Sequence, residues 1–524
     1  MMNCIRLCAA DLRSRWRFFL LLVIAVAAGL TACAGKNPYV VDLMPAPDLF
    51  MDGKIDPFGE IDGNIQVPYR GMLYATDRKP SPEPGQPFYL DERGFELRLG
   101  VAEVELGEGQ YTWEEARRIS LLKNRAERYP LQVTAVEETG ILDSSFSIFT
   151  DPKTIPKDPK AAGRQFADWV DAKLAVSKKK DVYIYVHGYK VVFTNPVLVA
   201  TELWHYLAYD GVFIAYAWPS TPETFAYAAD LETTVLSAYN LRNLLEFLAE
   251  ETDAERIHIL GYSAGTRVVL NTLFQFTLIH QDNDPDEVRR KGKLGRIILV
   301  GSDYDRQLFG ALVADGLLTV PASMTVYVSR EDKALEASRW LFRRDRLGQI
   351  DETGLSPAAL RFLEDTPKLV FVDVSDVEGS TEGNGHAYFR NSPWASSDIL
   401  MALMYDLEPA ARGLVHEPGR PIWTFPENYV ERLRAALQAA NPDLFQGSHD
   451  ADAFEIIGTV VYNDLEGGFF AIESEDGKTY KPLDLPETFQ KDGMRVRATV
   501  RVRNDVGSIH MAGDIVEILE IKTQ

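Results

Sequence analysis

The run from Arg256 to Gln275 leaves the fewest options open to a chain that contains it. Ile257 to Leu260 is short and apolar apart from His258, the signature of a buried strand. Gly261-Tyr262-Ser263-Ala264-Gly265 follows, and then Val268, Val269, Leu270, Leu273 and Phe274 recur at helical spacing. A G-x-S-x-G pentapeptide between a strand and a helix reads as a nucleophile elbow. The reason is steric: a sharp strand-to-helix turn holds the serine in a strained backbone, and glycines on both sides let strand and helix approach. The serine hydroxyl is then presented at the sheet edge beside the helix N-terminus. The bland alternative is a glycine-rich turn with a surface serine.

The chain around this turn alternates strand and helix patterns. Strand signals begin at Val67 and include Gly71 to Arg78 and Phe95 to Leu106, the latter alternating apolar and polar residues. Thr112 and Glu115 have capping-box spacing, and Gln132 to Val136 is a further strand candidate. Ala161 to Val176 is an amphipathic helix, followed by the apolar strand Val182 to Val186 and then His187-Gly188-Tyr189. A helix over Leu198 to Leu207, a strand ending at Trp218 and a helix over Ala228 to Glu250 lead back to the Ser263 strand. Three more strands follow, in Leu294 to Asp303, Met324 to Ser329 and Leu369 to Val374. This succession calls for a doubly wound, mainly parallel α/β sheet, with function at the strand carboxyl ends.

A serine triad in such a sheet runs serine, acid, histidine, with the acid after the second strand past the elbow and the histidine after the third. The second strand ends at Ser329 and Asp332 lies just beyond it, with Glu331 as the adjacent alternative. Beyond the third strand, His386 sits in a glycine-rich loop and is the only histidine between His280 and His416. Asp303 and Asp305, after the first strand, are the weaker acid candidates. His258, inside the elbow strand, reads as a core group. Ser263 is a poor nucleophile unless a base lies within hydrogen-bond reach. His386 would take its proton, Asp332 would orient the imidazole, and the backbone N–H groups of Tyr189 and Ala264 would meet the oxyanion. This chemistry needs neither metal nor cofactor. The H-E-x-x-H, C-x-x-C and P-loop patterns are missing from the chain.

Five segments carry a resemblance: Tyr74-Ala-Thr-Asp-Arg, Tyr185-Val-His-Gly-Tyr, Gly261-Tyr-Ser-Ala-Gly, Ser329-Arg-Glu-Asp-Lys-Ala-Leu and Gly385-His-Ala-Tyr. Together they resemble a family of bacterial α/β-hydrolase-fold proteins of largely undefined activity, over about Val67 to Asn391. The resemblance implies an esterase-like hydrolase and supplies no substrate. Residues 341–367 are an insertion between the acid and the last strand, readable as a lid or as a surface excursion.

The two ends of the chain differ in kind from its middle. Arg6, Arg13, Arg15 and Arg17 precede the apolar run Phe18 to Ala28, which closes on Leu30-Thr31-Ala32-Cys33. This looks like a bacterial lipoprotein signal over residues 1–32, with Cys33 lipidated. Ala34 after it suggests, by resemblance to Gram-negative lipoproteins, the outer membrane facing the periplasm. The three cysteines, Cys4, Cys8 and Cys33, all lie within the first 33 residues, so disulfides cannot stabilise the body. Residues 33–66, rich in Pro, Asp and Gly, read as a tether, and 67–440 as the α/β domain. Polar residues 441–453 read as a linker. Residues 454–524 hold five short strand signals, with a hairpin turn at Glu475-Asp-Gly-Lys, and suggest a small all-β barrel of OB-like type. Its alternating Arg495, Arg497, Arg501 and Arg503 could bind an anion or a polysaccharide, or mark a solvated strand face, and the barrel as a whole could have an envelope partner.

A formal charge of −22 argues against nucleic acid as a partner and against electrostatic docking of the body on anionic lipid. The expected function is a lipid-anchored, extracytoplasmic serine hydrolase acting on small-molecule or lipid acyl esters. The alternatives are acyl transfer by the same triad and a catalytically silent envelope scaffold.

Overall fold

The structure, a computed structural model, describes residues 37–58, 71–125, 127–222, 227–350, 355–442, 453–463, 468–475, 477–503 and 514–523. The leader over residues 1–32 and Cys33 lie outside the described residues.

Eleven strands among the described residues form one sheet. In chain order these are β1 (Val40–Asp42), β2 (Met72–Pro80), β3 (Tyr89–Leu106), β4 (Pro130–Ile141), β5 (Asp181–Val186), β6 (Val212–Tyr216), β7 (Arg256–Tyr262), β8 (Leu294–Val300), β9 (Ser323–Val328), β10 (Leu369–Asp373) and β11 (Ile422–Thr424). Their spatial order is β1-β4-β3-β2-β6-β5-β7-β8-β9-β10-β11. From β2 to β11 every neighbouring pair is parallel, and β3, β4 and β1 extend the sheet by antiparallel pairing. This is the mainly parallel α/β sheet the sequence calls for.

Burial on both faces explains the unbroken apolar runs. In β5, Val182, Ile184 and Val186 join one hydrophobic cluster while Tyr183 and Tyr185 join the cluster on the other face. Helices cover both faces, among them Ala161–Val176, Thr194–Tyr206, Tyr227–Glu251 and Gly265–Ile279. The capping box at Thr112 is formed: its Oγ1 accepts from Glu115 N–H, and the Glu115 carboxylate accepts from Thr112 N–H. His258 is a core group, stacked on Tyr183 and accepting the Arg296 N–H through Nδ1.

Asp181 opens β5 and accepts two hydrogen bonds from the Arg256 guanidinium, at 2.9 and 2.8 Å. Burial pushes its carboxyl up, but the nearby His258 imidazole and the hydrogen-bonded Arg256 guanidinium outweigh burial and hold it at about 2. A depressed carboxyl contributes stability above its unfolded pKa and loses it as pH falls through the folded one. Unfolding midpoints should therefore drop between about pH 4 and pH 2, and Asp181→Asn should flatten that limb. An unchanged acid limb in the variant would show that other groups set it.

Three expectations change. The stretch read as a tether is, over residues 37–58, part of the body. Its β1 pairs with β4, and Leu43, Met44, Ala46, Leu49, Phe50, Ile55 and Phe58 are buried. Phe50 stacks on Tyr206, and Phe58 lies tilted against His205. Its apolar residues follow neither helical nor strand spacing because they plug separate gaps in an already formed surface, a pattern only the surface dictates. Secondly, the α/β sheet, whose last expected strand is Leu369 to Val374, has one more beyond it: Ile422–Thr424 is a parallel edge strand beside β10. Thirdly, the first part of the 341–367 insertion is not a lid. Leu347, Gly348 and Ile350 are buried, Gly348 N–H donates to Ser302 O, and Gly348 O accepts from Ser329 N–H. The segment is thus stitched between the ends of β8 and β9.

The tail forms a closed barrel in the order β12-β13-β14-β16-β15. Its strands are β12 (Ala453–Asn463), β13 (Phe469–Ser474), β14 (Thr479–Pro482), β15 (Arg495–Val502) and β16 (Asp514–Thr523). Val496, Ala498 and Val500 point into its core, while Arg495 and Arg497 on the other face are exposed. Those arginines meet carboxylates across the strands: Arg495 pairs with Glu475, Arg497 with Glu455, and Arg501 and Arg503 with Glu517. This is the solvated face of a strand, with its positive charge already matched.

Candidate active site

The turn after β7 carries the strain its sequence implies. Ser263 has φ +53°, a left-handed conformation that costs a residue with a Cβ roughly 1–2 kcal/mol. Its N–H donates to Val300 O at 2.9 Å, and its carbonyl accepts from Thr266 N–H and from Thr266 Oγ1, which hold the turn. Each nearby glycine has a distinct steric reason. A Cβ on Gly261 would lie 2.9 Å from Val269 Cγ2, inside the strand–helix contact. One on Gly265 would lie 2.2 Å from His187 O and 2.5 Å from Val186 O. A Cβ on Gly188 would approach Ser263 Cβ to 2.8 Å.

Because the Gly265 obstacles are backbone atoms of a central strand, they cannot yield by a rotamer change. Gly265→Ala should cost about 3 kcal/mol or more, at the upper end of overpacking penalties. A urea midpoint within about 0.5 kcal/mol of the parent would refute that close approach.

Three side chains from three loops meet here. His386 Nε2 lies 2.7 Å from Ser263 Oγ, and His386 Nδ1 lies 2.6 Å from Asp332 Oδ2. Ser263 is half-buried, whereas His386 and Asp332 are buried. Asp332 serves two partners at once. It is the N-cap of the Lys333–Phe342 helix, its Oδ1 accepting from Ala334 and Leu335 N–H at 3.1 and 3.0 Å. The cap fixes its rotamer and leaves Oδ2 for the imidazole.

The other acid candidates are engaged elsewhere. Glu331 is exposed. Asp303 accepts from Arg267 Nε at 3.1 Å and from Ser338 Oγ at 2.5 Å. Asp305 caps the Arg306–Ala314 helix.

The loop after β5 packs against the serine turn through Gly188, so the residue expected to donate a backbone N–H, Tyr189, is next to that contact. Ala264, the other expected donor, directly follows Ser263 and is the N-cap of the Gly265–Ile279 helix. His187 itself is structural. Its ring is wholly buried, stacked at 8° on Trp218, with Nδ1 2.7 Å from Gly188 O and Nε2 3.0 Å from Trp218 O. Burial pushes its pKa well below the ordinary value.

Sequence reasoning missed the support beneath the imidazole. Gly301, at φ +54°, passes so close that a Cβ there would lie 3.0 Å from His386 Cε1. The buried Tyr388 hydroxyl accepts from Gly301 N–H at 2.7 Å and donates to Tyr327 O at 2.9 Å. It ties the histidine loop to the ends of β8 and β9. A tyrosine two residues after a histidine carries no local signal of this, since both partners are distant main-chain groups.

Residues 162–402 match the sequence profile of a family described as alpha/beta hydrolase of unknown function (DUF900). No curated protein matches the chain. Among solved structures, a protein described as a cell surface hydrolase from Lactobacillus plantarum WCFS1 aligns at 11% identity and a TM-score of 0.24. The alignment covers 44% of this chain and 92% of that one. The acylaminoacyl peptidase of Pyrococcus horikoshii aligns at 18% identity and a TM-score of 0.26, over 44% of this chain and 37% of that one. Superposition at this level decides nothing, and the assignment rests on the profile match and the sheet. The chain belongs to the α/β-hydrolase superfamily, with a closed five-stranded barrel as its second domain.

Proposed function

We propose that this chain is a lipid-anchored, extracytoplasmic serine hydrolase that cleaves carboxylic ester or related acyl bonds. The observation that carries the reading is the continuous hydrogen-bonded line from Ser263 Oγ through the His386 imidazole to Asp332 Oδ2. In this reading His386 Nε2 accepts the Ser263 proton as Oγ attacks the acyl carbonyl. The negative charge that develops on the carbonyl oxygen meets the N–H groups of Tyr189 and Ala264. His386 then hands the proton to the departing alkoxide, leaving an acyl-serine. Water, deprotonated by the same imidazole, releases the acid. Asp332 holds the Nδ1–H tautomer and stabilises the imidazolium.

A fluorophosphonate tests this without knowledge of the substrate, because it labels only an activated serine. The full chain should be labelled at Ser263, and Ser263→Ala and His386→Ala should not be. A folded protein that stays unlabelled would move the reading to the silent envelope scaffold, with the barrel as its binding module. Acyl transfer uses the same first half-reaction, and added alcohols or amines competing with water for the acyl-serine would reveal it.

The envelope location rests on Leu30-Thr31-Ala32-Cys33 behind an arginine-flanked apolar run. Metabolic labelling with a palmitate analogue should mark the parent chain and not Cys33→Ser.

A further inference from the structure

The Lys333–Phe342 helix begins at the triad acid and ends in an exposed apolar tip. Trp340 is 80% exposed and Leu341 59% exposed, although large apolar side chains at a helix end are ordinarily tucked under the chain that follows. Glu336, Arg339 and Trp340 follow the i, i+3, i+4 pattern on one stripe of the helix surface, and Arg343 is the left-handed C-cap just beyond it. With Leu341 they line an open cavity of about 460 Å³. Leu335, on the opposite side, is buried against the body.

The charge of this tip is out of character with the molecule. The chain carries 77 acidic against 55 basic residues. Most of its arginines are matched, as in Arg296–Asp406, Arg330–Asp376 and Arg412–Asp398. Arg339, Arg343 and Arg344 form no ion pair with any described residue. A local cluster of unmatched arginines around an exposed tryptophan and leucine combines two chemistries. The indole and the leucine suit the boundary between headgroups and acyl chains, where an amphipathic ring is favoured. The guanidinium groups suit anionic headgroups, reaching them over their long aliphatic stems.

We propose that the Arg339–Arg344 tip docks on an anionic lipid bilayer and sets the active site at the membrane surface, which makes bilayer-resident acyl lipids the substrate class. The docking face follows from the tip alone, whereas the substrate class rests on the serine-hydrolase reading above. The geometry suits the task. Trp340 lies eight residues beyond Asp332 along the helix, about 12 Å at the α-helical rise. The helix that carries the triad acid therefore also carries the contact, and docking would place the Ser263 opening near the headgroup layer. A lipid at Cys33 would hold the molecule at the membrane; the tip would orient it.

The natural cysteines all lie in the first 33 residues, so a new thiol in the body can be labelled selectively. The full chain, with Cys4→Ser, Cys8→Ser and Cys33→Ser, would carry an environment-sensitive fluorophore at Leu341→Cys. The control position is Val176→Cys, 87% exposed at the end of the helix that precedes β5 and so at the opposite end of the strands from Ser263. In vesicles of phosphatidylcholine with 30% phosphatidylglycerol, the Leu341→Cys emission should shift to the blue and the Val176→Cys emission should not. The shift should shrink at least threefold in pure phosphatidylcholine, in high salt, and when Arg339, Arg343 and Arg344 are changed to Glu. An aqueous spectrum at Leu341→Cys in both vesicles would overturn the proposal. So would a blue shift in buffer without vesicles, which would show that protein, either a second copy or another part of the chain, covers the tip. Fluorophosphonate labelling of the same samples separates the two readings. A lipid-dependent shift without labelling keeps the docking face and removes the hydrolase, and labelling without a shift does the reverse.

Discussion

Ser263→Ala should lower turnover of any acyl ester by roughly 10⁶-fold, the scale on which serine triads fail when the nucleophile is removed. Stability should barely move. Alanine keeps the Cβ, so the left-handed strain at φ +53° persists unchanged, and the lost Oγ–Nε2 hydrogen bond is worth about 1 kcal/mol. Ser263→Gly sharpens the test, because it removes both the nucleophile and the steric cost. It should be equally inactive yet more stable than the alanine variant by about 1 kcal/mol. Kinetics with a short-chain ester and urea midpoints on the three proteins would read both effects. Substantial activity in Ser263→Ala would end the serine mechanism. A large loss of stability in the same variant would instead make Ser263 a structural residue of the turn.

Asp332→Asn should lower turnover by about 10⁴-fold while leaving the fold intact. The two oxygens of this carboxylate have separate tasks, and asparagine replaces only one of them. As an N-cap it is about as good as aspartate, so Ala334 and Leu335 N–H keep their acceptor. Toward His386 it presents an amide N–H₂ at the place of Oδ2, which forces the imidazole into the tautomer whose Nε2 carries the proton. That nitrogen faces Ser263 Oγ and can no longer accept from it. Asp332→Ala should add a stability loss of about 1 kcal/mol from the missing cap. Full activity in Asp332→Asn would transfer the acid role to Glu331, Asp303 or Asp305. Glu331 is exposed, Asp303 is held by Arg267 and Ser338, and Asp305 caps another helix, so none of them hydrogen-bonds the imidazole in this arrangement.

The difference between Asp332 and its neighbours shows where sequence reading stops. The loop after the second strand past the elbow can be found from the strand pattern, because strand order and loop position are local properties of the chain. Which carboxylate of that loop turns inward depends on where the Lys333–Phe342 helix starts and what its first turn packs against. In the same way, the G-x-S-x-G turn is legible because its glycines answer to atoms within the strand–turn–helix unit or on the adjacent strand, as with Gly265 against Val186 and His187.

The sequence by itself therefore determined the parts governed by short-range sterics and periodicity. These are the parallel sheet, the strained serine between its glycines, the placing of Asp332 and His386 in the loops after the second and third strands past that turn, and the alternation of the barrel strands. Tertiary structure alone decided the parts that are held by distant groups. Residues 37–58 follow no period because their apolar side chains fill gaps made by other elements, and β11 exists because β10 offers it an open edge. Leu347 to Ile350 are buried because the ends of β8 and β9 leave unpaired main-chain groups there. Tyr388 steadies the histidine loop through two backbone partners that lie 87 and 61 residues away in the chain. Local pattern carries no record of such contacts, because their energy comes from surfaces that exist only once the chain has folded.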